Sequence, residues 1–361
     1  MAAIMTLCGD PGGAEAIAPV IQHLRQDGRL ALTCLAYRQA GRILSRHGLT
    51  SRSLSDSGGL QELEQVFRAT RPDAVLVATS FNGVDLERAL TRMAHAAGVP
   101  TMAVVDFWSH YRERFDDPSG TKTILPDRIA VMDKAARVAM IREGFAAERL
   151  LVTGQPALDS ARRLSAGRRG MRATTRQRWK VPAHAFVALY VSQPIRFDHH
   201  RGHALRAFDP RSRALSLLMS ALTQFSRRRG RTVVLVVRPH PRDRSVQIPV
   251  RPRVAIRIDR SRNRYAAILG SDAVFGQNTM MMVEARALGA PVYSLRTDEP
   301  QHMPLGDIPR MRFQREVADT IECASRIRWH CVSRMAPAGT SAQRIARALL
   351  HLIGLESRHD G

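Results

Sequence analysis

The sequence predicts an α/β protein with two doubly wound parallel-sheet domains that face each other across a cleft. Short, continuously apolar segments of strand length alternate with amphipathic segments of helix length. This alternation is typical of parallel sheets that are covered by helices on both faces. It occurs twice, on either side of a basic stretch at 159–180, and the 361 residues exceed the usual size of one domain.

The first half of the chain provides the elements of one domain, which we place at 1–160. The segment at 14–25 has Ile17, Ile21 and Leu24 on one apolar stripe, as expected of a helix packed on a sheet. The predicted strands are 4–8, 30–36, 74–78, 101–105, 128–131 and 150–153, and the predicted helices are 14–25, 38–47, 60–69, 85–97 and 135–142.

The second half repeats the pattern and forms a second domain at 181–335, with the boundary expected in the basic stretch. The final helix, at 341–354, carries an apolar stripe and is expected to pack back on the first domain. The other predicted elements are strands at 186–191, 232–237, 254–258, 273–275 and 291–295, and helices at 211–228, 264–269 and 280–288.

The charge of the chain is concentrated in one region. The formal net charge is +23, and residues 151–264 hold 26 Arg and Lys against five acids, a surplus of 21. This favours an anionic partner, either a membrane surface or a charged glycan acceptor. Of the 55 cations 52 are arginine, and the alternative is that part of this bias reflects genome base composition. Aromatic residues make up 5% and do not interleave with the basic stretch, so we expect no nucleic-acid partner.

The remaining composition indicates a cytoplasmic protein, peripheral to the inner face of the membrane if its basic surface binds lipid. No apolar run approaches the roughly 20 residues of a membrane span, and the N-terminus lacks the features of a signal peptide. The four cysteines form no CxxC pair. Asp198, His199 and His200 are adjacent, and adjacent residues seldom converge on one ion. We therefore assign no metal and no cofactor.

The loop after the first predicted strand, in CGDPGGAEAIAPV, is a candidate ligand site. Gly9, Gly12 and Gly13 permit a tight turn and close backbone approach, and the following helix offers free N–H groups. The segment differs from GxGxxG, and no acidic residue follows at the spacing of a ribose-binding carboxylate. A structural turn, with Asp10 as a plain turn residue, remains the alternative.

A second candidate segment, DFWSHYRERF, follows the fourth predicted strand. Asp106, His110 and Arg112 are its candidate functional groups, and Glu113 and Arg114 add to the density of charge. Ligands of open α/β sheets bind at the carboxyl ends of the strands, where this segment begins. The alternative is a solvated loop above packed aromatic side chains.

The strand in VVLVVRPHPRD ends in Arg238, His240 and Arg242, separated by Pro239 and Pro241. The prolines stiffen the turn and remove backbone donors. Imidazole and guanidinium groups at a strand end suit phosphate or diphosphate. A histidine satisfied within the protein is the alternative.

The segment SDAVFGQNTMMMVEARALGAPVYSL predicts a strand, a glycine turn and a helix. Its turn residues lie at a helix N-terminus, which suits phosphate, and Glu284, about one turn further in, could accept from ribose hydroxyls. A surface glutamate is the alternative. The turn consists of Gly276, Gln277, Asn278 and Thr279.

Together these segments resemble GT-B glycosyltransferases and the related UDP-N-acetylglucosamine 2-epimerases over nearly the whole chain. LLVTGQPALD is similar to the VTGNPxxD stretch of epimerases, with Gln155 in place of Asn. RPHPRD resembles the HP motif of bacterial sialyltransferases, Kdo transferases and CDP-glycerol polymerases, whose His contacts nucleotide phosphate. GQNTMMMVEARALGAPV resembles the GT-B donor-binding segment, in which a Glu at the place of Glu284 binds ribose.

The chain departs from these families at three motifs. FDDPSG only approximates the acidic-acidic-glycine motif of sialyltransferases, and the paired serines after the HP motif are replaced by Asn278 and Thr279. The HVEAG of epimerases appears as VVDFW, which puts Asp106 at the place of their catalytic glutamate.

The resemblance implies two Rossmann-like domains of GT-B type and a metal-independent glycosyltransferase that uses a nucleotide-activated sugar in bacterial cell-surface glycan synthesis. The general base that an inverting transfer needs is expected to be Asp106, with His110 and Asp10 as further candidates. The alternatives are a UDP-N-acetylglucosamine 2-epimerase-like enzyme and, less favoured, a non-catalytic polyanion-binding protein.

Overall fold

The computed structural model describes residues 1–55, 58–80, 86–117, 121–163, 168–192, 210–240, 248, 252–261, 263–277, 279–295, 308–309, 311, 314–325 and 340–355. The chain divides into two compact units. Unit 1 comprises Met1–Ser160 and Met335–Gly361, and unit 2 comprises Ala161–Arg334.

The described part of unit 1 contains a seven-stranded sheet in which every strand pairs in parallel. Its strands are β1 (Ala2–Cys8), β2 (Leu30–Ala36), β3 (Arg52–Ser53), β4 (Ala74–Val77), β5 (Thr101–Val104), β6 (Arg128–Val131) and β7 (Leu150–Val152). They lie in the order β3-β2-β1-β4-β5-β6-β7. β4 and β5 are buried along their whole length, which explains their continuously apolar sequences.

Helices connect consecutive strands of unit 1 except β5 and β6, whose connection contains a 3₁₀ turn at Arg112–Arg114. α1 begins with Pro11 at its first turn, where the missing N–H is no loss, and packs Ile17, Ile21 and Leu24 into the core. The helices are α1 (Pro11–Leu24), α2 (Ala40–Arg46), α3 (Gly59–Thr70), α4 (Leu86–Ala96), α5 (Lys134–Arg142) and α6 (Pro156–Arg163). The last of these crosses the boundary between the two units.

The described part of unit 2 contains a five-stranded parallel sheet in the order β10-β9-β8-β11-β12. Its strands are β8 (Phe186–Val191), β9 (Val233–Arg238), β10 (Val254–Ile258), β11 (Ala273–Gly276) and β12 (Val292–Ser294). Its helices are α7 (Arg168–Arg178), α8 (Pro210–Arg229), α9 (Arg264–Gly270), α10 (Met280–Ala287) and α11 (Gln314–Ala324). The two parallel α/β sheets confirm the predicted fold class.

The basic stretch at 159–180 is helical rather than an extended connection between the domains. Arg172 and Arg176 of α7 form ion pairs of 2.5 and 2.6 Å with the two carboxylate oxygens of Asp272. Burial lowers the pKa of Arg176, and Asp272 opposes that effect. Part of the positive charge therefore serves to fix α7 beside α9.

The last helix, α12 (Ser341–Leu352), belongs to unit 1 and packs against α1. A capping box of Thr340 and Gln343 starts it. The buried Asp159 adds two bonds, accepting from Ser341 Oγ at 3.0 Å and from the backbone N–H of Ala342 at 3.1 Å. None of the described helices is long and apolar enough to cross a bilayer.

Both sheets have a point at which the chain changes direction across the strand order. In unit 1, β1 and β4 are neighbours, but the strand that follows β1 lies toward one edge of the sheet and the strand that follows β4 lies toward the other. In unit 2 the same is true of β8 and β11. The crevice outside the carboxyl ends of such strands is the usual ligand site of open α/β sheets. The candidate loops after β1 and β11 lie at these two points.

Candidate functional site

Asp106 follows β5, and both its side chain and its backbone are held by hydrogen bonds. Its Oδ1 lies 2.5 Å from Arg114 Nη1, and its backbone carbonyl accepts a 2.5 Å bond from the side-chain amide of Gln155. Arg114 is 3% exposed and also donates to the carbonyl and hydroxyl of Thr79, both at 2.9 Å. The carboxylate is therefore held at the edge of the sheet by a buried cation.

Gly12 in the first turn of α1 lies directly beside Asp106. A Cβ atom at position 12 would lie 2.0 Å from Asp106 Oδ2, so the carboxylate occupies the space that a side chain would need. Gly13 packs in the same turn against Ala78. The structure therefore brings together the first two candidate segments, and it gives Gly12 a steric reason to be glycine.

Asp10 is the N-cap residue of α1, but its side chain makes no capping bond. Its Oδ1 is 3.3 Å from Arg38 Nη1, and its backbone N–H donates to Ser80 Oγ at 3.2 Å. Asp10 is 8% exposed. The loop is thus held by polar contacts from the ends of β2 and β4.

His110 and Arg112 are placed differently from Asp106. His110 has a left-handed backbone (φ 56°), and its Nδ1 lies 2.8 Å from Ser109 Oγ. Arg112 is exposed, contacts Thr123 Oγ1 at 3.2 Å, and pairs with Asp116 at 3.6 Å. The sequence does not distinguish Arg112 from Arg114, whereas the structure assigns the buried contact with Asp106 to Arg114.

A buried carboxyl, Glu87, lies next to this site and was missed by the sequence analysis. It is 4% exposed, accepts from Ser80 Oγ at 2.6 Å, and accepts from the hydroxyl of Tyr37. Burial raises the pKa of Glu87 to about 7, the bonds from Ser80 and Tyr37 oppose this rise, and Asp10 adds to it. Glu87 flanks the apolar stripe of α4, so only its burial reveals it.

In unit 2, Arg238 is the last residue of β9, and its guanidinium is bound within the protein. It pairs with Asp259 and donates to the carbonyl of Ser261 at 2.8 Å. Asp259 is 3% exposed and also contacts Arg178 and Trp179 Nε1, both at 3.2 Å. Desolvation lowers the pKa of Arg238, and Asp259 opposes that shift. Asp259 thus neutralises a cation that the sequence suggested for phosphate.

His240 follows two residues later and is half-buried. Arg242 and Asn278 lie outside the described residues, as do Asp198, His199 and His200. Among the residues that the structure does describe, no group of three His, Cys, Asp or Glu side chains could hold a metal ion.

The turn after β11 presents unsatisfied polar groups at the start of α10. Gly276 ends the strand, and its carbonyl accepts from the N–H of Leu295 at 2.7 Å. Gln277 is 8% exposed, and within the described part of the chain neither its Oε1 nor the buried Oγ1 of Thr279 has a hydrogen-bond partner. Such atoms are rare in folded proteins without a ligand or water to satisfy them.

Glu284 lies inside α10 and is 2% exposed. Arg264, at the start of α9, donates through Nε to both carboxylate oxygens of Glu284, at 2.8 and 2.9 Å. The guanidinium also lies 4.8 Å from the centre of the Tyr265 ring. Glu284 is therefore a buried, charged acceptor held by an arginine, whereas the alternative from sequence was a surface glutamate.

No protein-family model matches this sequence, and no curated protein matches it significantly. Solved structures do match. The UDP-GlcNAc 2-epimerase from Neisseria meningitidis bound to UDP-GlcNAc has a TM-score of 0.64 and 14% identity, over 97% of this chain and 100% of that chain. The UDP-GlcNAc 2-epimerase from Methanocaldococcus jannaschii has a TM-score of 0.66 and 14% identity, with the same coverage of 97% and 100%.

A glycosyltransferase is also among the similar structures. The glycotransferase of kitacinnamycin has a TM-score of 0.57 and 16% identity, over 98% of this chain and 96% of that chain. The two parallel-sheet units and these similarities define a two-domain, GT-B-like Rossmann fold. The same fold occurs in these UDP-GlcNAc 2-epimerases and in this glycotransferase, so the fold that the sequence resemblance implies is confirmed.

Proposed function

We propose that this chain is an enzyme that acts on a nucleotide-activated sugar and breaks the bond between the anomeric carbon and the leaving diphosphate. The observation that carries the proposal is the turn after β11. There the start of α10 combines with the buried Gln277 Oε1, which has no hydrogen-bond partner among the described residues, and with the buried carboxylate of Glu284. Solved structures of the same fold that contain UDP-GlcNAc or UDP support this class of ligand.

The diphosphate would be bound by the backbone N–H groups at the start of α10 and by His240. Glu284 would accept from the ribose hydroxyls, and the polar side chains of Gln277 and Thr279 would gain partners from the ligand. Arg238, already paired with Asp259, would shape the turn that carries His240 and add a smaller share of positive potential. Arg242 and Asn278 remain predicted contacts of the same site.

The reaction we propose is glycosyl transfer. The charge of the departing diphosphate would be stabilised by fixed amides and cations, which need no reorganisation during the reaction. Asp106 would act as general base toward an acceptor hydroxyl, with Gly12 and Gly13 beside it. His110, Asp10 and Arg112 remain the other predicted groups of this region.

Epimerisation of UDP-GlcNAc at C2 is the second candidate. It is favoured by the similarity, over almost the full chain, to several UDP-GlcNAc 2-epimerases. It would use the same nucleotide site without a separate acceptor.

The nucleotide site is tested by the thermal shift that UDP-, CMP-, GDP- and CDP-linked sugars produce in the purified chain. A ligand at 100 times its dissociation constant should stabilise the protein by about 2.7 kcal/mol, which is a shift of several degrees. His240→Ala should abolish the shift. His184→Ala is the matched control, since His184 contacts Thr232 ahead of β9, at the other end of that strand. The absence of a shift with every compound would reject the proposal.

The reaction is tested by incubation with UDP-GlcNAc alone. Conversion to UDP-ManNAc, or to UDP and ManNAc if water also hydrolyses the glycosyl bond, would favour the epimerase. A nucleotide sugar that is bound but consumed only with an added glycan acceptor would favour the transferase. If the transferase is favoured, we propose a role in cell-surface polysaccharide synthesis, with the basic region near an anionic membrane or glycan.

A further inference from the structure

We propose that Glu87 and Arg88, adjacent residues in the first turn of α4, are positioning residues that fix both candidate catalytic carboxylates of unit 1. Glu87 would act on Asp10 through Ser80, and Arg88 would act on Asp106 through Arg114. The catalytic roles of Asp10 and Asp106 rest on the proposed function, whereas the positioning contacts are a property of the fold.

The first connection runs from Glu87 to the loop after β1. Ser80 has one hydroxyl proton, which it donates to Glu87 Oε1 at 2.6 Å, and its oxygen accepts the backbone N–H of Asp10 at 3.2 Å. The position of Asp10 at the start of α1 is therefore coupled through one hydroxyl group to the carboxylate of Glu87.

Tyr37 provides a second connection from Glu87 to the same loop. Its hydroxyl bonds to Glu87, and its backbone N–H donates to the carbonyl of Cys8 at 3.1 Å. The ring lies so close to Gly9 that a Cβ atom there would be 2.0 Å from it. Glu87 therefore fixes the ring that forms one wall of the loop.

The third connection starts at Arg88, which is 6% exposed. Its Nη1 donates to the carbonyls of Ser80, Glu113 and Arg114, at 3.4, 3.3 and 3.2 Å respectively. Arg114 in turn holds Asp106. Two neighbouring residues of α4 thus reach both strand-end segments, which a purely apolar helix face could not do.

Glu87 is also able to gain and lose a proton near neutral pH, because burial raises its pKa to about 7. Among the described residues, the titratable groups that face it are Cys8 from β1, Asp10 from the start of α1 and Tyr37 from the end of β2. A protonated Glu87 must donate to Ser80 or Tyr37, so one of the two hydroxyls has to give up its present bond. The loop contacts should therefore change as Glu87 titrates.

The test compares Ser80→Ala, Glu87→Gln and Thr91→Val by amide hydrogen exchange, corrected at each pH for intrinsic exchange rates. Thr91→Val is the matched control, because it removes a buried hydroxyl that bonds to the backbone carbonyl of Glu87 and leaves the side-chain contacts intact. The quantity compared is the exchange rate of residues 9–13 divided by that of the β2 amides. We expect Ser80→Ala to raise this ratio at least tenfold and Thr91→Val to change it less than twofold.

The wild-type exchange ratio of residues 9–13 to β2 should change with a midpoint near pH 7, and Glu87→Gln should remove that midpoint. Arg88→Lys should raise the exchange rate of residues 106–115 relative to that of the β2 amides. Equal effects of Ser80→Ala and Thr91→Val, or an unchanged midpoint in Glu87→Gln, would overturn the proposal.

Turnover separates positioning from a general loss of stability. With a nucleotide sugar that the chain consumes, Ser80→Ala should lower kcat at least tenfold and change KM less than threefold, because the donor contacts proposed for unit 2 are untouched. Thr91→Val should keep both values within twofold. If no nucleotide sugar is consumed, the proposed function fails, and the exchange ratios still decide whether Glu87 and Arg88 position the loops.

Discussion

Gly12 and Asp106 are in contact although 94 positions separate them in the sequence. A Cβ atom on Gly12 would lie 2.0 Å from Asp106 Oδ2, far inside the contact distance of carbon and oxygen. The carboxylate cannot easily move, because Arg114 holds its other oxygen at 2.5 Å. The start of α1 and the segment after β5 therefore form one surface.

Gly12→Ala should reduce turnover and should also cost stability, because the carboxylate it displaces is paired with Arg114. The methyl group would displace the Asp106 carboxylate, and displacements of about 1 Å in a catalytic group can reduce rates by about 100-fold. The measurement is kcat with the nucleotide sugar identified by thermal shift. Gly28→Ala is the control, because Gly28 is exposed and has no neighbouring atom within 4 Å of a new Cβ. Equal kcat values for the two variants would show that Asp106 takes no part in the reaction.

Arg114→Met should be strongly destabilising. It removes a buried cation that pairs with Asp106 and donates two bonds to Thr79. Loss of one partner of such a pair costs about 3–5 kcal/mol, which urea denaturation can measure. Arg112→Met, at an exposed position two residues away, should cost about 0–1 kcal/mol. A small effect of Arg114→Met would mean that Asp106 is adequately solvated without it.

The fold was largely predictable because its central strands, such as β4, β5 and β8, are buried on both faces. β2, β6, β8 and β10 have the predicted bounds; β8 is apolar throughout, whereas β6 begins with Arg128 and β10 contains Arg257. The helices at Pro156–Arg163 and Arg168–Arg178 were not predicted, because the first is only eight residues long and the second has five arginines among its 11 residues. Their stabilising contacts, such as Arg176 with Asp272, join positions 96 residues apart and leave no local pattern.

The site was predictable only in part. The segments that carry Asp10, Asp106, Arg238 and Glu284 could be selected because they follow predicted strands or begin predicted helices. The sequence could not predict which charges neutralise one another. Asp259 and Arg238, for example, are not separated by a characteristic spacing and meet only because β9 pairs with β10. Long-range ion pairs are set by tertiary structure, and local sequence periodicity does not contain them.

The stability of the protein should depend on the protonation of Glu87. Its pKa is about 7 in the folded state and about 4.3 for an ordinary glutamate, so the folded state binds the proton more tightly. Its contribution is fully present below about pH 4 and is lost as the pH rises through 7. The free energy of unfolding of the wild type, minus that of Glu87→Gln, should fall by roughly 4 kcal/mol across this window. Urea denaturation at intervals of half a pH unit measures it, and a flat difference would contradict the prediction.

Asp159→Asn should weaken the attachment of α12 to unit 1. Asp159 accepts two bonds at the start of α12, and an amide can accept only one of them while its NH₂ group faces a donor. The expected loss is about 1–3 kcal/mol in the free energy of unfolding. Asp73→Asn is the control, because Asp73 is exposed where it accepts the backbone N–H of Ala3 at 2.7 Å. Equal losses of unfolding free energy in the two variants would mean that the burial of Asp159 does not strengthen its hydrogen bonds to α12.

Glu284→Gln should lower the affinity for UDP at least tenfold. The carboxylate is buried against Arg264, and hydrogen bonds to a charged acceptor contribute about 1.5–3 kcal/mol, which corresponds to roughly a 10- to 150-fold change in affinity. Isothermal titration with UDP measures this loss, and Glu316→Gln, on the exposed face of α11, should leave the affinity unchanged. Arg264→Gln distinguishes a ligand contact from a purely structural pair. If Glu284 binds ribose, Glu284→Gln should weaken UDP binding more than Arg264→Gln does. If the two residues only support the fold, both variants should lower the melting temperature and leave the affinity of the remaining folded protein intact.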